Sequence, residues 1–249
     1  MRLSPTTIDA AFERHGAVYH GRKGWDIPYH IECWDSATAA SQNDSTQEFG
    51  RLYTQLKNSW GALRPNPAAA WSADETFDHL RALDQRWCNR SLHELDDGDV
   101  ARCYEIVESM SEIKRMKYGP SVVAISKFLH IWNLRLFVIV DDAVMWRWVF
   151  AHRWISSQVK ETRDRIQTVL GVETPIGKAC DLLSYVAVLR WSADLIRANP
   201  EITARFARHV RAHAPTNLPL ETYEAVAVEW LLLGLVELPP GGVSLPTTH

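Results

Sequence analysis

The chain is poor in the features that mark a specialised environment. Its 249 residues include four cysteines, Cys33, Cys88, Cys103 and Cys180, and no two of them form a C-x-x-C pair. This spacing excludes a disulfide framework and a cysteine-rich zinc site, and leaves reduced, buried thiols as the expectation. The most apolar stretches, Leu134–Val140 and Trp230–Val236, fall far short of the ~20 residues a membrane span needs. The opening Met1-Arg2-Leu3-Ser4-Pro5 leads into polar residues rather than an apolar signal core, so the expectation is a cytoplasmic protein with no membrane partner. Net charge is also scarce. At −3, with a pI of about 6.4, the chain is not a generally basic nucleic-acid binder. It has no Walker loop, no dinucleotide glycine fingerprint and no nucleophile elbow, so no cofactor is expected.

What is present is ordinary globular composition, 46% hydrophobic and 23% charged, with eleven tryptophans. The apolar spacing is helical almost throughout, which predicts an all-α, multi-helix domain over residues 1–249. Residue 100 is the natural boundary if there are two lobes, 1–99 and 100–236. Pro239-Pro240-Gly241-Gly242 opens a tail, 237–249, that is expected to be flexible. Ser4-Pro5 starts a first helix and Gly16 closes it. Residues 16–43 lose periodicity and read as an aromatic-rich loop, with a short strand or hairpin around Ala17–Tyr19 and Tyr29–Cys33. Asp44 with Gln47, and Ser72 with Glu75, read as capping boxes that open helices. A helix from Val100 to Lys117 ends at Gly119. Further helices are expected from Pro120 to Trp132, Ser156 to Leu170, Thr174 to Arg197, Asn199 to His213, and 219 to 235. Tryptophans inside amphipathic patterns are read first as core packing and second as a stacking surface.

The central segment Tyr118–Met145 carries the one chemical lead. A glycine turn at Gly119 precedes a helix with Val122, Ile125, Leu129 and Trp132 on one face. A polar break, Asn133-Leu134-Arg135, leads into Leu136-Phe137-Val138-Ile139-Val140-Asp141. This order resembles the central signature of the helix-hairpin-helix base-excision DNA glycosylase superfamily. That family has a glycine hairpin, a helix, an F-P-x-D-like run and a catalytic aspartate at a helix start. The resemblance covers about a tenth of the chain. It departs from the family in having one glycine where G-x-G is usual, Ser121 and Val122 in the region of the lyase lysine, and valine before the aspartate.

The resemblance implies a glycosylase-like core and a DNA-binding protein that either hydrolyses an N-glycosidic bond or keeps the fold without the chemistry. Asp141 falls on the catalytic aspartate, with Lys127 and His130 nearby. A carboxylate there would stabilise positive charge on the sugar or activate water. Lys114, Arg115, Lys117, Gly119 and Arg135 would hold duplex DNA, and Trp132 and Trp146 would stack against an extruded base. Residues 101–160 carry nine Lys and Arg against five carboxylates, which favours an anionic partner at this segment.

The same residues have plainer readings. Asp141 is also a good N-cap. Ser126 and His130, four apart on one helical face, also make a satisfied polar patch. Lys114, Arg115 and Lys117 also suit a helix C-terminus. The other functional class is therefore an interaction protein, of the defence or antitoxin kind, that binds a partner protein through its aromatics without catalysis. His15, His20 and His30 lie near Asp26, Glu32 and Asp35, but their spacing matches no metal-ligand pattern, and no metal is expected. Arg205, Arg208 and Arg211, with His209 and His213, read as a solvated basic face.

Overall fold

The computed structural model describes residues 1–19, 27–43, 46–58, 62–63, 70–116, 119–140, 145–146, 149–172 and 180–236. It is an all-α fold. Its helices are α1 (Pro5–Tyr19), α2 (Ile27–Asn43), α3 (Thr46–Asn58), α4 (Ala73–Ala82), α5 (Val100–Ser109), α6 (Val122–Trp132), α7 (Arg153–Leu170), α8 (Leu182–Ala198), α9 (Ile202–His213) and α10 (Glu224–Val236). Single 3-10 turns stand at Gln85–Trp87, Leu92–Glu94 and Leu220–Thr222. Among the described residues the one ladder pairs β1 (Arg115–Met116) with β2 (Gly119–Pro120), antiparallel. No described helix is long and apolar enough to cross a membrane.

Several boundaries follow from local chemistry. The Ser72 hydroxyl accepts from the Glu75 N–H at 3.2 Å, and the Glu75 carboxylate accepts from the Ser72 N–H at 2.7 Å. This is the expected capping box of α4. Those bonds also hold the Glu75 carboxyl below its ordinary pKa. The Asp44 half of the other expected box lies outside the described residues. Gly171, at φ 64°, ends α7 in the left-handed region that glycine enters at least cost.

Elsewhere tertiary contacts override local signals. Gly16 does not end α1, which runs on to Tyr19. A glycine inside a helix costs about 1 kcal/mol, and the packing of α1 against α9 and α10 offsets it. The expected loop and strand within 27–43 are instead α2, which buries Cys33, Trp34, Ala37 and Ala40. Trp34 meets Trp230 at 5.7 Å and Phe206 at 6.0 Å between ring centroids. Its aromatic neighbours thus pack the helix onto the core. α5 stops at Ser109 rather than Lys117, because remote backbone claims the next residues. Trp71 N–H donates to the Ile113 carbonyl at 3.0 Å, Ala70 bridges Lys114, and Ser121 N–H donates to the Lys114 carbonyl at 2.9 Å. α8 starts at Leu182, where Asp181 accepts from the Ser184 N–H at 2.6 Å; the expected start at Thr174-Pro175 lies outside the described residues.

The buried residues form one cluster. α1 lies against α9 and α10, α2 against α3 and α6, and α5 and α7 against α8. One close backbone approach is at Gly234 of α10. A Cβ there would stand 1.9 Å from the Ala11 carbonyl oxygen of α1, so the two backbones touch and no larger residue fits.

Candidate functional site

The central segment divides into a sealed part and an open part. Phe137–Val140 has no regular structure, yet all four residues are buried. Buried backbone polar groups without ladder partners need side chains to pair them. Ser126 of α6 supplies one such bond, accepting from the Val140 N–H at 3.1 Å, while its single hydroxyl proton has two carbonyl acceptors at the same 3.2 Å distance, Val140 and, within its own helix, Val123. The His130 Nδ1–H donates to the Phe137 carbonyl at 2.7 Å, and the Tyr185 hydroxyl of α8 donates to the Val138 carbonyl at 3.0 Å. Ser126 and His130 thus form the satisfied polar patch, with the extended run as their partner. Burial drives the His130 pKa down to about 4, opposed weakly by its bond to Phe137, so the ring is neutral and its tautomer is fixed by the carbonyl.

The other nominated residues scatter. Lys127 is buried in the middle of α6, and Lys114 is 1% exposed, its ammonium pKa lowered by burial. Arg115 and Gly119 belong to the short ladder. Lys114 and Arg115 are therefore not at a helix C-terminus, because α5 has ended five residues before Lys114. Trp146 is half-buried and packs on Phe150 at 6.2 Å. Asp141 and Lys117 lie outside the described residues, so Asp141 is not located as a cap or as a catalytic group. Asn133 clamps the bend after α6, donating to the Trp87 carbonyl at 2.7 Å and the Arg90 carbonyl at 2.8 Å. It also accepts from the Arg135 N–H at 2.8 Å.

That clamp aims the end of α6 at the surface, where Trp132 and Arg135 line a groove of two adjoining hollows. The first, about 310 Å³, is an apolar chamber whose walls include Ala40, Phe49, Leu52, Phe77, Leu80 and Ile131, from α2, α3, α4 and α6. Arg81, Gln85 and Cys88 stand at its polar edge. The second, about 280 Å³, is a vestibule edged by Thr38, Asn89, Arg135, Thr222 and Tyr223. Ala37, Cys88, Ile131 and Trp132 border both hollows. The Trp132 indole N–H bonds the Cys88 sulfur, and the thiol donates to Gln85 Oε1 at 3.0 Å. Burial pushes the Cys88 thiol up to about 11, so it is an unreactive wall rather than a nucleophile.

Sequence reasoning picked Trp132 and Arg135 and missed the rest of this groove. Phe49, Leu52, Phe77 and Leu80 carry only an ordinary amphipathic signal, identical to that of core residues.

The remaining clusters are structural. His15 stacks on Trp230 at 4.2 Å, and no described group of three or more His, Cys, Asp or Glu residues is arranged to hold a metal ion. On the basic face of α9, Arg205 pairs with Asp9 and Arg211 with Glu221. Trp34, Trp87, Trp191 and Trp230 are buried as packing residues.

Comparison with protein-family models, with curated proteins and with solved structures gives no match. Fold and site together define an all-α protein with an aromatic-edged groove.

Proposed function

We propose that the chain is a binding protein without catalysis, and that it takes an apolar or aromatic group of its ligand into the groove at the end of α6. The non-catalytic part of the interaction-protein expectation is kept, whether or not the ligand belongs to a partner protein. The observation that carries it is an open groove at Trp132 with largely apolar walls and a few polar lining residues, Arg81, Gln85 and Arg135 among them. A concave apolar pocket with a few convergent polar groups is the usual form of a ligand site. The polar side chains of the adjoining sealed segment, Ser126 and His130, are committed to backbone groups.

The test is titration with 1-anilinonaphthalene-8-sulfonate, an amphipathic anionic fluorescent probe, against wild type and Ala40→Trp, which fills the chamber. Saturable binding to wild type, reduced at least tenfold in a folded Ala40→Trp variant, is the expected result. Equal binding to both overturns the reading.

The glycosylase-related reading keeps one supporting observation, the shared position of Trp132 and Arg135, both nominated for DNA contact, on one groove. It requires salt-dependent binding of duplex DNA and base release that Asp141→Asn abolishes. A panel of damaged and mismatched duplexes at low salt, yielding neither binding nor release, removes it.

A further inference from the structure

The two hollows meet at side chains that serve both. Ala37, Cys88, Ile131 and Trp132 border the chamber and the vestibule alike. Ala37 and Ile131 are buried in the core and held by the packing of α2 against α6. Trp132 differs from them. It is half-buried, at the last residue of α6, and the Phe137 ring lies 5.8 Å from its own. The indole is held by a relay that starts on the backbone. The Gln85 amide nitrogen donates to the Arg81 carbonyl at 2.8 Å and to the Leu83 carbonyl at 3.4 Å. A carbonyl only accepts, so these bonds fix which end of the amide is nitrogen and leave Oε1 to accept. Oε1 takes the Cys88 thiol proton at 3.0 Å, and the sulfur receives the Trp132 indole N–H. Sulfur is a weak partner in both of its bonds, so the indole is held by a pin that can be released.

From this geometry we infer that Trp132 divides the groove and sets the length of the apolar group it accepts. The inference rests on the proposed binding role of the groove. With the indole pinned on Cys88, the chamber is closed from the vestibule, and the apolar part of an occupant is confined to about 310 Å³. With the pin gone, the indole yields, the hollows join, and a longer chain runs from one into the other. Phe137 is fully buried and blocks retreat into the core, so the indole yields only outward, at the rim. Cys88 and Gln85 are positioning residues that act through Trp132. Both hollows carry polar lining groups, so the selection is by length and is indifferent to the ligand's polar head.

The experiment displaces 1-anilinonaphthalene-8-sulfonate from the full chain with unbranched 1-alkanols, from 1-butanol to 1-dodecanol. Their head group is constant and uncharged, so length alone varies. Each methylene that becomes buried should raise wild-type affinity about fourfold, up to one length, beyond which affinity levels. Two variants separate the pin from the space around it. Cys88→Val removes the hydrogen bonds and adds volume, whereas Cys88→Ser keeps a donor and an acceptor and frees volume. Cys88→Val should therefore accept longer alkanols than wild type, and Cys88→Ser should level where wild type does. The reverse, a shorter limit in Cys88→Val and a longer one in Cys88→Ser, means that space alone sets the length and overturns the divider. A common limit in all three proteins, or a wild-type affinity that never levels, also overturns it. Should Cys88→Val not fold, Gln85→Leu, which removes the thiol's acceptor at an exposed position, takes its place. If Ala40→Trp still weakens probe binding, the groove reading survives the loss of the divider. Probe binding indifferent to Ala40→Trp overturns both.

Discussion

Helix α6 serves two different neighbourhoods. Along its middle, Ser126 and His130 face the buried run Phe137–Val140 and spend their polar atoms on its backbone. At its end, Ile131 and Trp132 border the groove. Polar residues are thus sealed and an aromatic one is half-open, the reverse of what residue type alone would suggest. Irregular backbone in a core must find partners, and side chains at helical spacing are the available ones. The groove has no such debt. Its inner walls are apolar side chains of α2, α3, α4 and α6 that also belong to the buried core, and Trp132 stands half-open at its rim.

If that contrast is right, the sealed side should tolerate change poorly and the groove rim well. The largest effect is expected away from both regions, at the close backbone contact of α1 with α10. Gly234→Leu drives a side chain into the Ala11 carbonyl and should cost about 3 kcal/mol or more, read by urea denaturation. A cost below 1 kcal/mol would mean the α1–α10 contact is far looser than described.

A similar magnitude is expected from pH. The folded His130 pKa of about 4 lies below the ordinary value of 6.5. The unfolded chain therefore binds more protons between these values. The neutral ring's contribution is fully present above pH 6.5 and is lost as pH falls towards 4. The loss from pH 7 to pH 4 should be about 3 kcal/mol. His130→Gln should flatten that part of the stability profile relative to wild type, and parallel profiles would refute the assignment.

Ser126→Ala strands the Val140 N–H and removes the hydroxyl that the Val140 and Val123 carbonyls share, and should cost about 2 kcal/mol at neutral pH. On the open side, Trp132→Ala should change stability by only about 1 kcal/mol, while 1-anilinonaphthalene-8-sulfonate binding falls at least tenfold. A thermal melt displaced as far as that of Ser126→Ala would erase the distinction between the two regions.

Much of the helical architecture was legible in the residues. The Ser72–Glu75 box, Gly171 as a stop and the final apolar helix depend on neighbours within a few positions, and such signals survive in the fold. α2 was missed because Trp34 is held by Phe206, Tyr223 and Trp230, which lie far along the chain. The early end of α5 was missed for the same reason, since Ala70 and Trp71 hold the following backbone. Of the site, Trp132 and Arg135 could be singled out. Tyr223 and the chamber walls could not, because nothing in a single amphipathic stripe says whether its apolar face meets another helix or a hollow.

The sequence by itself determined a helical protein with one-turn start and stop signals and no membrane-spanning helix, because periodicity, caps and glycine stops act over one or two turns. Only the tertiary structure decided that His130 serves a carbonyl, that Lys114 is buried, and that Trp132 and Arg135 open onto a common groove. Those outcomes depend on which distant backbone and side chains arrive at the same place, and chain-local spacing carries no record of that meeting.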